Sequence, residues 1–364
     1  MGVRPFAEGD IPQVVDLYWT YMRHLQGPAP QSVRSAFREL YFTNPFVETT
    51  FPPLVYEGQS GEIVGFLGIT VRKMSVGGKS IRVAYGGNFV VHPKARSSLA
   101  ARRLLAALIG GTQDLTLTDS ANDLSRKIVE RIGFRNIPAL NFHWARPLRP
   151  SQCAVYALSR STGRRVSAGL RLAAKPFCVV ADNMAARLSG GLFRQTKSHL
   201  RGTELDVETL LHCLVEFRKG YSLWPEYDGL SLKWLLNFME QIPTRGELRK
   251  IVVRDHSQKI MGWYIYYMKS AGVGEVVQIG CDVKHTKVIL DHLFYDAWEH
   301  GVIALLGVVD SRRMADFSDK NCYFTCRGGW ALAYSRNPEL VKVLERGDAF
   351  LSRLDGEWCL DPGE

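Results

Sequence analysis

The sequence has few of the features that commit a chain to a membrane, a disulfide scaffold or a structural metal. Its longest wholly apolar-plus-glycine run, Gly301 to Val309, is far too short to span a bilayer. The opening "MGVRPFAEGD" has no apolar signal core, and Phe6 stands where a myristoylation signal wants serine or threonine. The seven cysteines are an odd number without paired spacing. Cys322 and Cys326, the one close pair, have no histidine or cysteine neighbours to complete a zinc set. Aromatic-interleaved RNA motifs, zinc fingers and a clear helix-turn-helix are also missing. The expectation is a soluble cytoplasmic protein with no metal.

What is present suits a globular α/β protein. The chain has 364 residues, 46% hydrophobic and 23% charged, which is the composition of two ordinary cores plus a connector. Ten Lys/Arg lie between Arg149 and Thr203 against one acid, Asp182, so this stretch holds +9 of the net +10. The basic character therefore belongs to a connector between two nearly neutral regions. A solvated helical linker explains it, and so does a site for an anionic membrane surface or an acidic partner; nucleic acid is the weaker reading.

A weak internal repeat organises the chain. "LVYEGQSGEIVGFLGI" reads as strand, turn, strand over Leu54–Tyr56 and Ile63–Ile69, and "VVRDHSQKIMGWYIYY" repeats it two hundred residues on. Val55 aligns with Val252, Ile63 with Ile260, Gly65 with Gly262 and Phe66 with Trp263. A further strand, "NFVV" or "EVVQIGCDV", follows each, then a helical pattern, then a glycine-aromatic pair, Gly133-Phe134 or Gly329-Trp330. The shared order argues for a duplicated α/β unit, with domains at 1–148 and 205–364 and the connector at 149–204.

Within the first unit, "VVHPKARSSLAARRLLAAL" passes from β-branched residues through a proline and a basic turn into a helix pattern. Ser97 or Ser98 suits the cap position. A helix start offers unpaired backbone N–H groups and a partial positive charge, and Arg96 adds a guanidinium, so the turn is built to seat a pyrophosphate.

These residues resemble the acetyl-CoA loop of the GCN5-related N-acetyltransferases, V-x-P-x-x-R-x-x-G-x-G/A-x-x-L. Val91, Pro93, Arg96, Ala101 and Leu104 fall on that frame, with Leu99 in place of its first glycine. "NDLSRKIVERIGF" is similar to the family's N-x-x-A-x-x-L-Y-x-x-L-G-F, through Asn122, Ser125, Ile128, Ile132, Gly133 and Phe134, with Val129 where many members carry tyrosine. "VRPFAEGDIPQVVDLY" is similar to the first strand and helix, with Asp10 as N-cap before Pro12. The resemblance covers about residues 3 to 146. It implies two tandem domains, each a twisted mixed sheet flanked by helices, the second a degenerate copy.

The resemblance also implies a chemistry: acyl transfer from acetyl-CoA, or another acyl-CoA, to an amine of a small molecule or peptide by direct attack. The implied cofactor residues are Asn88, Phe89, Val90, Val91, Arg96, Ser97, Ser98, Leu99, Ala100, Ala101, Asn122 and Ser125. Tyr85 and Asp119 are the candidate proton acceptors, each with an alternative reading as packing or turn residue. A left-handed backbone at Leu99 would add strain of roughly 1–3 kcal/mol. The second half lacks the basic glycine-rich turn and places Asp282 near it, and its His285, His292 and His300 read as packing rather than metal ligands. Trp224, Tyr227 and Trp234 are open as cleft or core residues. A non-catalytic CoA- or partner-binding protein, and an aminoacyl-tRNA-dependent transferase of the peptidoglycan-bridge type, are the alternative functions.

Overall fold

The computed structural model describes residues 2–95, 99–161, 168–326 and 329–362. The strands are β1 (Gly2–Pro5), β2 (Leu54–Glu57), β3 (Ile63–Val76), β4 (Lys79–Val91), β5 (Leu115–Ala121), β6 (Arg135–Asn136), β7 (His143–Pro147), β8 (Arg201–Glu204), β9 (Leu223–Pro225), β10 (Glu247–Arg254), β11 (Ile260–Met268), β12 (Val273–Cys281), β13 (Ala304–Val308), β14 (Tyr323–Thr325) and β15 (Trp330–Tyr334). The helices are α1 (Ile11–Leu17), α2 (Gln31–Arg38), α3 (Ala100–Ile109), α4 (Asp123–Glu130), α5 (Pro150–Ser161), α6 (Ala168–Arg187), α7 (Val207–Glu216), α8 (Gly229–Glu240), α9 (Thr286–Glu299), α10 (Met314–Asp319) and α11 (Pro338–Glu345). This is the mixed α/β class expected.

The chain divides into two compact units whose segments interleave. One comprises Met1–Asn141, Gly220–Thr244 and Gly328–Glu364, the other Phe142–Lys219 and Arg245–Arg327. The spans 1–148, 149–204 and 205–364 cut across this division. The first unit holds a sheet ordered β1-β2-β3-β4-β5-β15-β6 with β9 alongside β3; the second holds β14-β7-β13-β12-β11-β10-β8. Each sheet thus takes in strands from the far part of the sequence: β9 joins β3 and β15 lies between β5 and β6 in the first, and β7 lies between β13 and β14 in the second.

The repeated hairpins share a register. Val55 faces Phe66 and Tyr56 faces Gly65 in the first unit; Val252 faces Trp263 and Val253 faces Gly262 in the second. Each sheet has one parallel pair, β4 with β5 and β12 with β13. Gly133 ends α4 with φ +105, a conformation that favours glycine. Gly329-Trp330 is not its counterpart in the second unit, because Trp330 opens β15 and pairs with Ala121 of the first sheet.

Apolar side chains cover both faces of the first sheet. Leu104, Leu105 and Leu108 of α3 pack with Leu67, Ile69 and Ala84, and Tyr85, Leu115, Leu117, Leu340 and Leu344 fill the opposite side. In the second unit, Ile289, Leu293 and Phe294 of α9 pack on Trp144, Tyr264 and Leu305. β11 is buried from Gly262 to Tyr267, as a strand covered on both faces requires. Trp224 and Trp234 belong to the first unit, where Trp224 stacks on Phe350 at 4.2 Å and Trp234 donates to Glu39 at 2.9 Å.

Local signals explain the element starts, with one correction. Asn122, Asp206 and Asp228 accept from the third backbone N–H of α4, α7 and α8. Asp10 precedes α1 but makes no side-chain cap to it. Its carboxylate instead accepts from the Ala7 N–H at 2.9 Å and from the Arg4 guanidinium at 2.6 and 2.9 Å, which lowers its pKa. A fork of two charged donors outcompetes a single helix amide.

Candidate functional site

The site begins where two parallel strands part. β4 and β5 pair only through Val83–Leu115, Ala84–Thr116 and Tyr85–Leu117. Beyond Tyr85, β4 stays with β3, while β5 stays with β15, which it pairs from Thr116–Tyr334 to Ala121–Trp330. A cleft of about 100 Å³ fills the opening, lined by Gly86, Gly87, Asn88 and Phe89 on one side and Thr118, Ser120, Asn122 and Ser125 on the other.

The parting is written into β4. Its register with β3 slips between Phe66 and Gly68, so Asn88 and Phe89 together oppose Leu67 as a bulge. Asn88 adopts φ +49, which asparagine tolerates, and its amide donates to the Tyr41 hydroxyl at 2.9 Å. Gly68 is needed across the bulge, since a Cβ there would meet the Tyr41 hydroxyl at 2.1 Å and the Gly87 carbonyl oxygen at 2.9 Å.

A carboxyl from the end of the chain enters this cleft. One oxygen of Glu357, Oε1, accepts from the Thr118 hydroxyl at 2.9 Å, the Ser120 backbone N–H at 3.0 Å and the Ser120 hydroxyl. The other, Oε2, sits against Gly87, where a Cβ would come within 2.2 Å. Burial, reinforced by the charge of Asp119, pushes the Glu357 carboxyl up to about 8.

The segment bearing Glu357 is tied down residue by residue. Asp355 accepts from the Tyr227 hydroxyl and the Ser352 N–H, both at 2.7 Å. Arg72 donates to the Leu354 carbonyl at 3.2 Å and lies 3.6 Å from the Cys359 sulfur. Asp361 accepts from the Tyr18 hydroxyl at 2.8 Å and Arg23 at 3.2 Å.

The two expected proton acceptors sit elsewhere. Asp119 points away from the cleft-lining Thr118 and Ser120 and accepts from the Glu357 backbone N–H at 3.2 Å. Burial pushes its carboxyl up to about 6 against the pull of these backbone donors. Gly356 must be glycine, because a Cβ would lie 1.6 Å from an Asp119 oxygen. Tyr85 is buried among Val83, Leu115 and Leu117, and this burial raises its hydroxyl well above the ordinary value.

Of the expected cofactor residues, Asn88, Phe89, Asn122 and Ser125 line the cleft together. Val90, Val91, Leu99, Ala100 and Ala101 do not line it, and Ala100 is wholly buried beside Leu104. Arg96, Ser97 and Ser98 lie outside the described residues. Leu99 has φ −74, so leucine in place of glycine brings no left-handed strain. Val129 also lines the cleft and offers it a methyl surface.

Glu357 was missed because its β5 partners lie 237 and 239 residues away in sequence. The available signal was the alternation Asp355, Glu357, Cys359, Asp361, too acidic for an ordinary strand edge and too regular for a loose tail.

In the second unit the corresponding opening is filled. β12 and β13 pair through Val273–Ala304, Gly274–Leu305 and Glu275–Leu306 before parting. Buried Arg313, from the turn after β13, donates to the Cys281 carbonyl at 2.6 Å, to its sulfur at 2.8 Å and to Asp310 at 3.0 Å. His292 pairs with the Tyr264 hydroxyl at 2.9 Å and His300 with the Asp296 carbonyl at 2.7 Å. Among the described residues no group of three or more His, Cys, Asp and Glu side chains is arranged to hold a metal ion.

No family model matches the sequence, and no curated protein matches it. Solved structures do. A conserved protein of Enterococcus faecalis V583, of unknown function and described as a probable N-acyltransferase, superposes with TM-score 0.57 at 12% identity, over 92% of this chain and 71% of that one. A GCN5-related N-acetyltransferase from Anabaena variabilis gives TM-score 0.57 at 11% identity, over 92% and 73%. Saccharomyces cerevisiae N-myristoyltransferase with bound myristoyl-CoA gives TM-score 0.53 at 10% identity, over 91% and 78%. With the parted strands and the capped helix beyond them, these likenesses show that the chain has the fold of the GCN5-related N-acetyltransferases.

Proposed function

We propose that the protein is an acyl-CoA-dependent N-acyltransferase, in its simplest form moving acetyl from acetyl-CoA to an amine of a small molecule or peptide. The observation that carries this reading is the buried Glu357 carboxyl, held by Thr118 and Ser120 at the parting of β4 and β5. In the reaction the acceptor nitrogen attacks the thioester carbonyl; a C–N bond forms and the C–S bond breaks. Ionised Glu357 takes the proton the nitrogen sheds, and the sulfur leaves as thiolate and is protonated by water. Val129 has no proton to give, which a thiolate leaving group tolerates.

Backbone N–H groups at the Asn88–Phe89 bulge would support the developing oxyanion, and Gly87 would let the thioester approach the strand. Arg96, Ser97 and Ser98, with the start of α3 at Leu99, Ala100 and Ala101, would seat the pyrophosphate. Asn122 and Ser125 would border the pantetheine. Asp119 acts as a positioning residue, by holding the backbone of Glu357. Because burial raises the Glu357 carboxyl, kcat/KM rises with pH through about 8.

The test is thiol release from acetyl-CoA by the full chain over a panel of amines, beside Glu357→Gln. The variant keeps the shape of the side chain and should lose about 10²–10⁴-fold in kcat while binding acetyl-CoA within a few-fold of wild type. Equal turnover by both proteins would remove Glu357 as the base. Failure of the wild type to bind acetyl-CoA by calorimetry would overturn the reading altogether.

A further inference from the structure

The outward side of α6 is apolar. Phe177, Val180, Met184 and Leu188 recur at three- and four-residue intervals and so share one side of the helix. They are 79%, 60%, 63% and 60% exposed, and Leu192, just past the helix, is 57% exposed. Ala181 and Arg187 are also exposed, whereas Asp182 and Ala186 face inward and are buried. Scattered exposed leucines need no explanation, but a continuous line of large apolar side chains marks an interaction surface.

The charge around this line identifies what it meets. Asp182 is the one acid between Arg149 and Thr203. It is wholly buried, its carboxylate accepting from the backbone N–H groups of Ser151 at 2.7 Å and Gln152 at 3.3 Å at the start of α5. The stretch therefore shows solvent no acidic side chain, while Lys175 and Arg187 on α6 and Arg194 and Lys197 in the segment that follows it are all exposed. A second copy meeting this face across a two-fold axis would set cation against cation. A nucleic acid would use the cations but not a row of buried-type side chains. An anionic bilayer surface uses both, taking apolar side chains into the acyl boundary and Lys/Arg among the headgroups.

We propose that the outward face of α6 docks the protein on anionic lipid, the helix lying in the plane of the surface. Among the described residues no helix is long and apolar enough to cross a membrane. The binding is peripheral and depends on apolar contact and charge together.

The experiment is co-sedimentation of the full chain with phosphatidylcholine vesicles, with and without phosphatidylglycerol. Wild type is expected to bind the phosphatidylglycerol vesicles, to bind pure phosphatidylcholine weakly, and to be released by salt. Arg187→Gln, Arg194→Gln and Lys197→Gln should each weaken partitioning roughly five-fold. Phe177→Ser with Met184→Ser should weaken it roughly ten-fold or more, without moving the thermal midpoint, since both side chains are exposed. No binding of wild type to phosphatidylglycerol vesicles, or equal binding by the variants, would overturn the proposal. So would a wild-type dimer that the double substitution turns into monomer without any vesicle binding, or RNA capture in place of vesicle binding.

Discussion

Replacing Glu357 by glutamine should stabilise the protein in alkali even though it removes the proposed base. The Glu357 carboxyl moves from an ordinary 4.5 to about 8 because burial and Asp119 oppose its charge. A raised pKa means the folded state holds its proton more tightly than the unfolded state, so this stabilisation is complete below about pH 4.5 and is lost as pH rises through about 8. The interval between those values corresponds to roughly 5 kcal/mol at most. Asp119, raised from 3.8 to about 6 by burial, acts in the same direction over a lower window. Glutamine has the same shape: its oxygen can take the three donors from Thr118 and Ser120, and its nitrogen replaces Oε2 beside Gly87. The assay is the thermal midpoint of both proteins across pH. Wild type should lose stability between about pH 5 and 9, while Glu357→Gln follows a shallower curve and melts roughly 5–15 °C higher at the alkaline end. Parallel curves would refute the account, because they would mean that Glu357 titrates as an exposed carboxylate does.

Two further substitutions test the geometry around the cleft. Gly87→Ala keeps a permitted backbone, since Gly87 is not left-handed, but its Cβ would lie 2.2 Å from Glu357 Oε2 and force the carboxyl aside by about 1 Å, so kcat should fall roughly 10²-fold. Gly86→Ala meets only the end of the Leu108 side chain at 3.0 Å and should cost far less; equal losses in the two variants, measured by thiol release, would disprove this. Leu99→Gly should not tighten acetyl-CoA binding in calorimetry, because Leu99 already has φ −74, and should lower the thermal midpoint slightly by loosening the start of α3. A clear gain in affinity would show that the leucine obstructs the phosphate seat.

The repeat was legible because strand pairing leaves a mark in local sequence. Val55 with Phe66 and Val252 with Trp263 are true cross-strand pairs, and the alternation that aligned them is the alternation of the two sheet faces. The exchange of strands was not legible, for an equally physical reason. "HWARP" of β7 and "WALAY" of β15 are five residues each and would satisfy either sheet by composition. Which sheet they enter is decided by long-range pairing, Ala145 with Leu306 and Ala333 with Leu117, that no window of sequence contains. Cutting the chain at contiguous boundaries followed from treating the neighbouring strand as the next strand in sequence.

The site divides along the same line. Asn122 and Ser125 were legible because a helix cap is a contact three residues long, and Asn88 and Phe89 because a motif marks their strand. Glu357 reaches its place through contacts that span most of the chain. Yet its surroundings differ from those of a carboxyl held for structure alone. A core shaped only for stability would hold an amide there, since two buried carboxyls, Glu357 and Asp119, raise the energy of the folded state as pH increases. Both hydroxyl donors and the Ser120 N–H converge on Oε1, where they favour the charged form, while Oε2 is left to Gly87 and the cleft. One oxygen is held, and the proposed reaction would use the other. Asp355 supplies the contrast: it is more deeply buried, at 1% exposed, and Tyr227 and Ser352 occupy both of its oxygens, so it has none to offer a substrate.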